Sequence, residues 1–228
     1  MAIQNFEELN ILKRRSEPFR DYFKGMGISP KQKEDRIELA LSLEEILMIF
    51  FDLFQTGIVD EVRIKQEITY SLYEVLTEDT DNPGGKYFDT EEALDKYVKQ
   101  IVNDTYDATV ENMEKSPNDY DYTGETPYWV SDDRAMFIAE NEANALFNCK
   151  EYKEAKEQGY THKIWMSYGD DRVRLSHQIV DGAKVPIGVY FDVGRARMLY
   201  PKDVTSEFST GAECPEEVIG CRCSIVYV

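Results

Sequence analysis

The chain has 228 residues, 42% of them hydrophobic, so it can bury one substantial core, or a core with a helical extension. Its formal net charge is −18 and its isoelectric point is near 4.5. A nucleic-acid-binding protein needs a basic face for phosphate contacts, so this charge balance argues against that class.

The charge is unevenly placed along the chain. Residues 1–133 carry 14 Lys and Arg against 30 Asp and Glu, whereas residues 134–228 carry 12 against 14. The front part therefore has a net charge of −16 and the back part of −2, which indicates two regions. The longest apolar run, Ile46–Phe51, is far shorter than the ~20 residues of a membrane-spanning helix. The N-terminus lacks the features of a signal peptide, so we expect synthesis in a reducing cytosol and free thiols or metal-bound cysteines.

The first 118 residues are predicted to be helical. Ser42 and Glu45 form a capping box in front of the apolar run. A second amphipathic stretch follows, the turn-rich segment Asp79–Gly85 interrupts the pattern, and a third stretch starts with Asp89 as its N-cap. We interpret the apolar stripes of the last two stretches as packing faces. The stripes contain Val59, Val62, Ile64, Ile68, Leu72, Val75 and Leu76, and then Leu94, Tyr97, Val98, Ile101, Val102 and Tyr106.

The remaining chain is predicted to mix helix and strand. A stretch rich in Pro, Gly and Asp suggests a linker at residues 119–130, with a docking segment as the alternative. A long helix should run from a Ser131 cap to a stop at Gly159. Short strands should follow within "HKIWMSY", "KVPIGVYF", "ARMLYP" and "CSIVYV". The predicted fold class is α+β, with a helical region at residues 1–118 followed by a small domain at 131–228, in which the long helix packs on a short-stranded sheet.

Residues 164–182 concentrate polar side chains that suggest chemistry. His177 with Asp170, Asp171 or Asp181 could form an acid–base pair, but no nucleophile motif accompanies it and Cys149 has no catalytic flanking signature. Arg172 and Arg174 could clamp a phosphate or pair with the nearby acids, and we favour pairing.

The cysteines raise a metal-binding hypothesis. Cys214, Cys221 and Cys223 with His177 or His162 would give the three thiolates and one imidazole that tetrahedral zinc accepts. The alternative is that Cys221 and Cys223 are small buried apolar residues. If the chain end is extended, Arg222 should point opposite to both cysteines, which places the sulfurs on the His177 side and leaves Arg222 to pair with an acid.

Taken in order, these residues resemble the phage Mu F-like family of head morphogenesis proteins. The pattern is an Arg-Ala-x-x-Ile-Ala-x-x-Glu helix, a Trp strand, an Asp-x-Arg-Val-Arg-x-x-His segment, an Asp-Gly turn and a terminal Cys-Arg-Cys, and it covers about residues 131–226. Two departures occur, since Glu140-Asn141 replaces the usual Arg-Thr and Gly220 replaces the usual Asn. The matching residues are Arg134, Ala135, Ile138, Ala139, Glu142, Trp165, Asp170, Arg172, Val173, Arg174, Ser176, His177, Asp181, Gly182, Phe191, Pro201, Cys221, Arg222 and Cys223.

The resemblance implies a minor structural protein of a tailed-phage head, made in the host cytoplasm and present in few copies at the portal vertex of the virion. Its expected role is head morphogenesis or genome delivery, and it is not expected to be an enzyme. Expected partners are the portal protein and other head proteins, or a second copy, with no DNA bound by the acidic half and no membrane. The polar residues of this pattern are then expected to form a network that fixes the fold, with a structural zinc ion as an additional hypothesis. The network residues are Asp170, Arg172, Arg174, His177, Asp181 and Arg222, and the zinc ligands are His177, Cys214, Cys221 and Cys223.

Two other functions stay open at the sequence level. An enzyme of toxin or nuclease type could act on a phosphodiester through Arg172, Arg174 and His177. An acidic cytosolic adaptor is the third option, and it would be preferred if the gene lay away from portal and terminase genes. Loss of activity without loss of folding in His177→Ala would favour the enzyme.

Overall fold

A computed structural model describes residues 16–57, 59–78, 80–116 and 118–228 of the chain. The predicted start of the helical region, at residues 1–15, lies outside this part. The chain divides into two compact units, one made of the described residues up to Leu41 with Glu140–Val228, and the other of Ser42–Ala139. Both divisions fall inside long helices, α2 (Pro30–Thr56) and α5 (Asp132–Glu157), while the domain division at 119–130 stays a prediction.

The unit Ser42–Ala139 is helical. Besides the parts of α2 and α5, it contains α3 (Glu61–Thr77), α4 (Glu91–Lys115) and a short 3-10 helix, Tyr128–Val130. Helices α3 and α4 pack against each other through their apolar stripes. The stripes bury Ile64, Ile68, Leu72 and Leu76 of α3 and Leu94, Tyr97, Val98 and Val102 of α4, as predicted. The prediction is wrong for Val62, which is 64% exposed because it lies two residues before Ile64 and therefore on the other side of α3, and Val59 precedes the helix.

Two of the predicted helix starts are wrong. Helix α2 begins at Pro30, so Ser42 and Glu45 lie in its middle and the capping-box motif there caps nothing. The N-cap of α4 is Thr90, whose side chain accepts from the backbone N–H of Ala93, and not Asp89. In both places the sequence offers more than one possible helix start. A local capping motif alone does not decide between them, and the true start depends on the residues further along the chain.

The Arg134 guanidinium of α5 is buried in this unit. It donates to Thr109 Oγ1 at 2.6 Å, to the carbonyl oxygen of Thr105 at 3.3 Å and to that of Trp129. It also lies 5.1 Å from the ring centres of Phe51 and Trp129. Burial lowers the pKa of Arg134 to about 10. Arg134 therefore joins α5 to α4 and to the 3-10 helix.

The unit that includes Glu140–Val228 contains a three-stranded antiparallel sheet in the order β2–β1–β5. The strands are β1 (His162–Met166), β2 (Lys184–Pro186) and β5 (Ser224–Tyr227). Trp165 of β1 stands opposite Ile225 of β5, and both are buried. Helix α5 ends next to Gly159, whose φ of 80° favours glycine and ends the helix as predicted.

A second small sheet pairs β3 (Phe191–Val193) with β4 (Ala196–Met198). Residues 16–23 form a further helix, α1, and the unit also contains two short helices, α6 (Leu175–Ile179) and α7 (Pro215–Val218), and a 3-10 helix, Gly211–Glu213. One hydrophobic core joins α5, both sheets and the chain end, with Tyr152, Trp165, Phe191, Met198 and Ile225 among its buried members. The predicted α+β class is confirmed, with a helical N-terminal region and a long helix on a short-stranded sheet. Among the described helices, none combines the length and apolar character that crossing a membrane requires.

Candidate metal centre

The short helix α6 presents His177 to the interior. Its residues Leu175 and Ile179 are exposed, while His177 between them is only 1% exposed. The ring of Trp165 meets the imidazole edge-on with a centroid distance of 5.7 Å. The turn at Asp181-Gly182 fixes the end of this segment, because Gly182 has a φ of 72° and its N–H donates to the carbonyl of Trp165 at 2.8 Å.

The imidazole meets the Cys-Arg-Cys segment at the chain end. His177 Nδ1 lies 3.3 Å from Cys223 Sγ and 3.6 Å from Cys221 Sγ. All three residues are buried, and their ligand atoms lie within 4.8 Å of one another, so the group can hold a metal ion. Two sulfurs and one imidazole nitrogen form a donor set typical of zinc and other thiophilic metals.

The other imidazole nitrogen faces a carboxylate. His177 Nε2 donates to Glu217 Oε2 at 3.2 Å, and the same oxygen accepts from the Ser176 hydroxyl at 2.6 Å. A metal-binding histidine usually donates its second N–H to such a group, which fixes the ring and leaves the first nitrogen as the ligand. The sequence reasoning did not single out Glu217, because nothing local distinguishes it from Glu216.

The thiol and imidazole groups influence one another's pKa values. A hydrogen bond from Cys223 lowers the pKa of the Cys221 thiol well below its usual value, against the effect of burial and with a further contribution from His177. The pKa of Cys223 is raised, because the Cys221 sulfur accepts its proton and burial opposes a second charge. Burial lowers the pKa of His177, but the hydrogen bond and charge of Cys221 outweigh this, so it is raised overall. The arrangement therefore favours one thiolate beside the imidazole, and a bound cation would favour both.

The predicted alternation in Cys-Arg-Cys is confirmed. Arg222, between the two cysteines that contact His177, pairs with Asp170 at 2.8 Å and lies 3.9 Å from the ring centre of Tyr168. Asp170 also accepts the N–H of Arg172 at 3.2 Å. These contacts join the loop after β1 to the chain end.

The other predicted network residues have more separate roles. The Arg174 side chain donates to the carbonyl oxygen of Ile219, just before the Cys-Arg-Cys segment. Asp181 Oδ1 accepts the N–H of Ser167 at 2.7 Å. Arg172 is exposed, and its backbone N–H, not its guanidinium, is the group that donates to Asp170.

Two of the metal-ligand candidates lie elsewhere. Cys214 is buried in the hydrophobic core at the start of α7 and is not in the group of His177, Cys221 and Cys223. The expectation of Cys214 as a fourth ligand is therefore not met, since the turn of α7 directs Glu217, three residues on, to the imidazole. His162 Nδ1 lies 3.0 Å from the Thr161 hydroxyl and is likewise outside the group.

Two asparagines on α5 position the Cys-Arg-Cys segment. This segment precedes strand β5 and is not itself paired with another strand. Asn144 Nδ2 donates to the carbonyl of Cys221 at 3.1 Å, and Asn148 Nδ2 to that of Cys223 at 3.4 Å. The guanidinium of Arg36 orients both amides, since its nitrogens lie 3.3 Å from Asn144 Oδ1 and 3.4 Å from Asn148 Oδ1. The spacing of these asparagines on one helix face was the available signal, and the sequence reasoning did not use it.

The two departures from the family pattern are in contact. The N–H of Gly220 donates to Asn141 Oδ1 at 2.7 Å. Gly220 has a φ of 70°, in the left-handed region that glycine and asparagine both tolerate, so its replacement of the usual Asn keeps this backbone conformation accessible.

A small cavity lies beside the three metal-binding candidates. Its volume is about 10 Å³, and its lining includes Tyr168, Arg174 and Arg222 besides the three. This is about the space that one water molecule needs.

Comparison of the chain with family models, curated proteins and solved structures finds no match.

Proposed function

We propose that the chain is a minor structural protein of a tailed-phage head, associated with the portal vertex and acting in head morphogenesis or genome delivery. One observation carries the proposal: residues of the resemblance that are far apart in sequence lie in mutual contact. Trp165, His177, Cys221 and Cys223 form one buried group, and Asp170 pairs with Arg222 beside it. If the matching residues agreed with the family pattern only by chance, their side chains would not be expected to contact one another in the folded protein.

In this proposal the polar residues stabilise the fold and do not catalyse a reaction. Both ring nitrogens of His177 already face protein groups, and the cavity beside it is the size of a water molecule. A phosphodiester would need access to the imidazole. The enzyme alternative therefore gains no support from this geometry.

The proposal includes one zinc ion held by Cys221, Cys223 and His177 Nδ1, with Glu217 fixing the imidazole. Zinc would supply the positive charge that allows both buried sulfurs to be thiolates. The adjacent cavity leaves a fourth position for a ligand no larger than water, which suits a structural role better than the turnover of a substrate.

Metal analysis tests the zinc proposal. Purified wild-type protein and Cys149→Ser, a control cysteine outside the group, should each contain about one equivalent of zinc, whereas Cys223→Ser should contain much less. A chelator should lower the melting temperature of the wild type and of the control. The proposal would be contradicted if the purified wild-type protein contained no metal and its melting temperature did not change on addition of zinc or of chelator.

Partner proteins are proposed from the charge of the front part of the chain. Residues 1–133 carry a net charge of −16, which should repel packaged DNA, so we expect binding to the portal protein, another head protein or a second copy. The full chain should bind duplex DNA no better than a neutral control protein at ~0.15 M salt.

The location has a direct test. Quantitative mass spectrometry of purified virions or proheads should find the protein at a few copies per particle. Its absence from particles, or hundreds of copies per particle, would contradict a minor protein of the portal vertex.

A further inference from the structure

Lys202 and Asn141 form an unusual side-chain pair in the interior of the unit that contains the candidate metal centre. Lys202 Nζ lies 2.5 Å from Asn141 Oδ1, and the two residues are 61 positions apart in sequence. Both are buried, Lys202 at 3% and Asn141 at 5% exposure. Asn141 belongs to α5, and Lys202 lies four residues after the end of β4. A primary amine is thus held against a carboxamide from a different element, in a place that excludes bulk water.

The backbone at Lys202 is held in an unfavourable conformation. Its φ is 66°, and it is the single non-glycine residue with a positive φ in the described part of the chain. A long side chain is disfavoured in this region, and such residues persist only where the surrounding structure determines them. The fold thus maintains a strained backbone that places Nζ at the Asn141 amide.

The carbonyl of the Asn141 side chain is polarised by two donors. Besides Lys202 Nζ, the N–H of Gly220 donates to Asn141 Oδ1 at 2.7 Å. A backbone N–H in this position would stabilise negative charge that develops on Oδ1 when a nucleophile adds to Cγ. The arrangement thus activates the amide carbon.

Acid–base groups also surround the pair. Glu140 and Glu142 flank Asn141 in α5, and both interact electrostatically with Lys202. Burial lowers the pKa of Lys202, which favours the neutral amine needed for attack. Burial raises the pKa of Glu140 to about 7, so this carboxyl can accept and release a proton near neutrality.

We propose that Lys202 and Asn141 join in an intramolecular isopeptide bond. The Lys202 amine must first turn out of its hydrogen bond to Oδ1. Its lone pair then attacks Cγ of Asn141, forming a C–N bond and an oxyanion at Oδ1 next to the Gly220 N–H. The proton that Nζ loses passes to Nδ2. The Cγ–Nδ2 bond then breaks, the carbonyl re-forms, and one ammonia molecule leaves. The amine and primary amide become a secondary amide without any oxidant or reductant.

This bond would tie α5 covalently to the segment after β4, next to the residues that precede the Cys-Arg-Cys segment. It would close a loop through the chain between Asn141 and Lys202, so the unfolded chain would remain constrained as it is by a disulfide. Unlike a disulfide, the bond would be insensitive to reducing conditions. The inference is independent of the proposed phage function and of metal binding.

Intact mass spectrometry of the full chain tests the proposal under denaturing, reducing conditions. Wild-type protein should be lighter than its sequence mass by one ammonia molecule, and Lys202→Arg and Asn141→Ala should each have their full sequence mass. Lys163→Arg is a matched control, since Lys163 is also buried but donates to a backbone carbonyl, that of Leu199, at 2.6 Å. This control should keep the ammonia loss.

Peptide mapping locates the bond. A tryptic digest of the wild type should contain a branched peptide that joins the segment with Asn141 to the segment with Lys202, and cleavage after Lys202 should be lost. Wild-type protein at its full sequence mass would overturn the proposal without any variant. Ammonia loss that persists in Lys202→Arg, or that maps to a cyclised asparagine in an unbranched peptide, would overturn it as well.

Discussion

The guanidinium of Arg222 and the carboxylate of Asp170 form an ion pair at 2.8 Å although 52 residues separate them in sequence. The Arg222 side chain is 8% exposed and that of Asp170 is 32% exposed. Because the neighbouring Cys221 and Cys223 contact His177, this pair fixes the face that the two sulfurs present to the imidazole. The ion pair and the candidate metal centre therefore lie on opposite sides of the Cys-Arg-Cys segment.

Replacing the acid of this pair should destabilise the protein. Asp170→Asn leaves a mostly buried guanidinium without its counter-charge, and we expect the free energy of unfolding to fall by about 1–2 kcal/mol. The loss should be smaller than for a fully buried pair because solvent screens Asp170. The neighbouring, exposed Asp171→Asn serves as the control in denaturant unfolding and should change little. Equal stabilities of the two variants would contradict a stabilising role for the pair.

A second ion pair should contribute more. Arg36 and Glu151 are paired through two hydrogen bonds of 2.7 and 2.9 Å, and their side chains are 0% and 10% exposed. Arg36→Ala should lower the free energy of unfolding by about 3–5 kcal/mol, because it leaves a buried carboxylate unpaired and frees the amides that hold the cysteine segment.

Arg20→Ala is the matched control for this change. Arg20 makes the same two-fold pairing with Glu34, at 2.8 and 2.7 Å, but the two side chains are 50% and 47% exposed. Removing an exposed pair typically costs about 0–1 kcal/mol. A cost for Arg36→Ala no greater than for Arg20→Ala would show that burial does not determine the strength of this interaction.

Lys163 should make stability depend on pH. Burial lowers its pKa from 10.5 to about 7, so the folded state disfavours a proton that the unfolded state still binds. The unfolded state therefore binds more protons between pH 7 and 10.5, and the free energy of unfolding should rise with pH in this window. From pH 7 to 9 we expect a rise of about 2 kcal/mol relative to Lys163→Met. The exposed Lys184→Met should retain the wild-type slope, and identical slopes in all three proteins would contradict the prediction.

Glu217 should affect zinc binding through the imidazole that it orients. Glu217→Ala should weaken zinc affinity about 10–100-fold, because the carboxylate that accepts the second ring N–H sets the orientation and basicity of a metal-binding histidine. Glu216→Ala is the control, since Glu216 pairs with the exposed Arg195, whereas Glu217 is the carboxylate that meets His177. Competition with a chromogenic chelator measures both affinities. Equal affinities would exclude Glu217 from the site.

The sequence predicted secondary-structure elements correctly where residues close together in the chain determine the element by themselves. The alternation in "HKIWM" and "SIVY" predicts β1 and β5. Gly159 ends α5 because glycine adopts a positive φ without help from residues elsewhere in the chain. The same alternation placed Cys221 and Cys223 on the His177 side of the chain and Arg222 on the other. Ser42 and Glu45 failed as a helix start because their motif lies inside a longer helix, where the backbone N–H groups already have partners.

Tertiary structure alone decided which polar groups meet. The sequence does not distinguish Glu217 from Glu216 or Lys202 from the exposed lysines, yet the fold buries Glu217 against His177 and Lys202 against Asn141. A buried polar group must find its hydrogen bonds within the protein, and the available partners come from elements tens of residues away. Hydrophobic periodicity is a property of neighbouring residues and can be read along the chain. The pairing of buried donors and acceptors depends on how α5, the two sheets and the chain end pack into one core, and only the three-dimensional arrangement determines it.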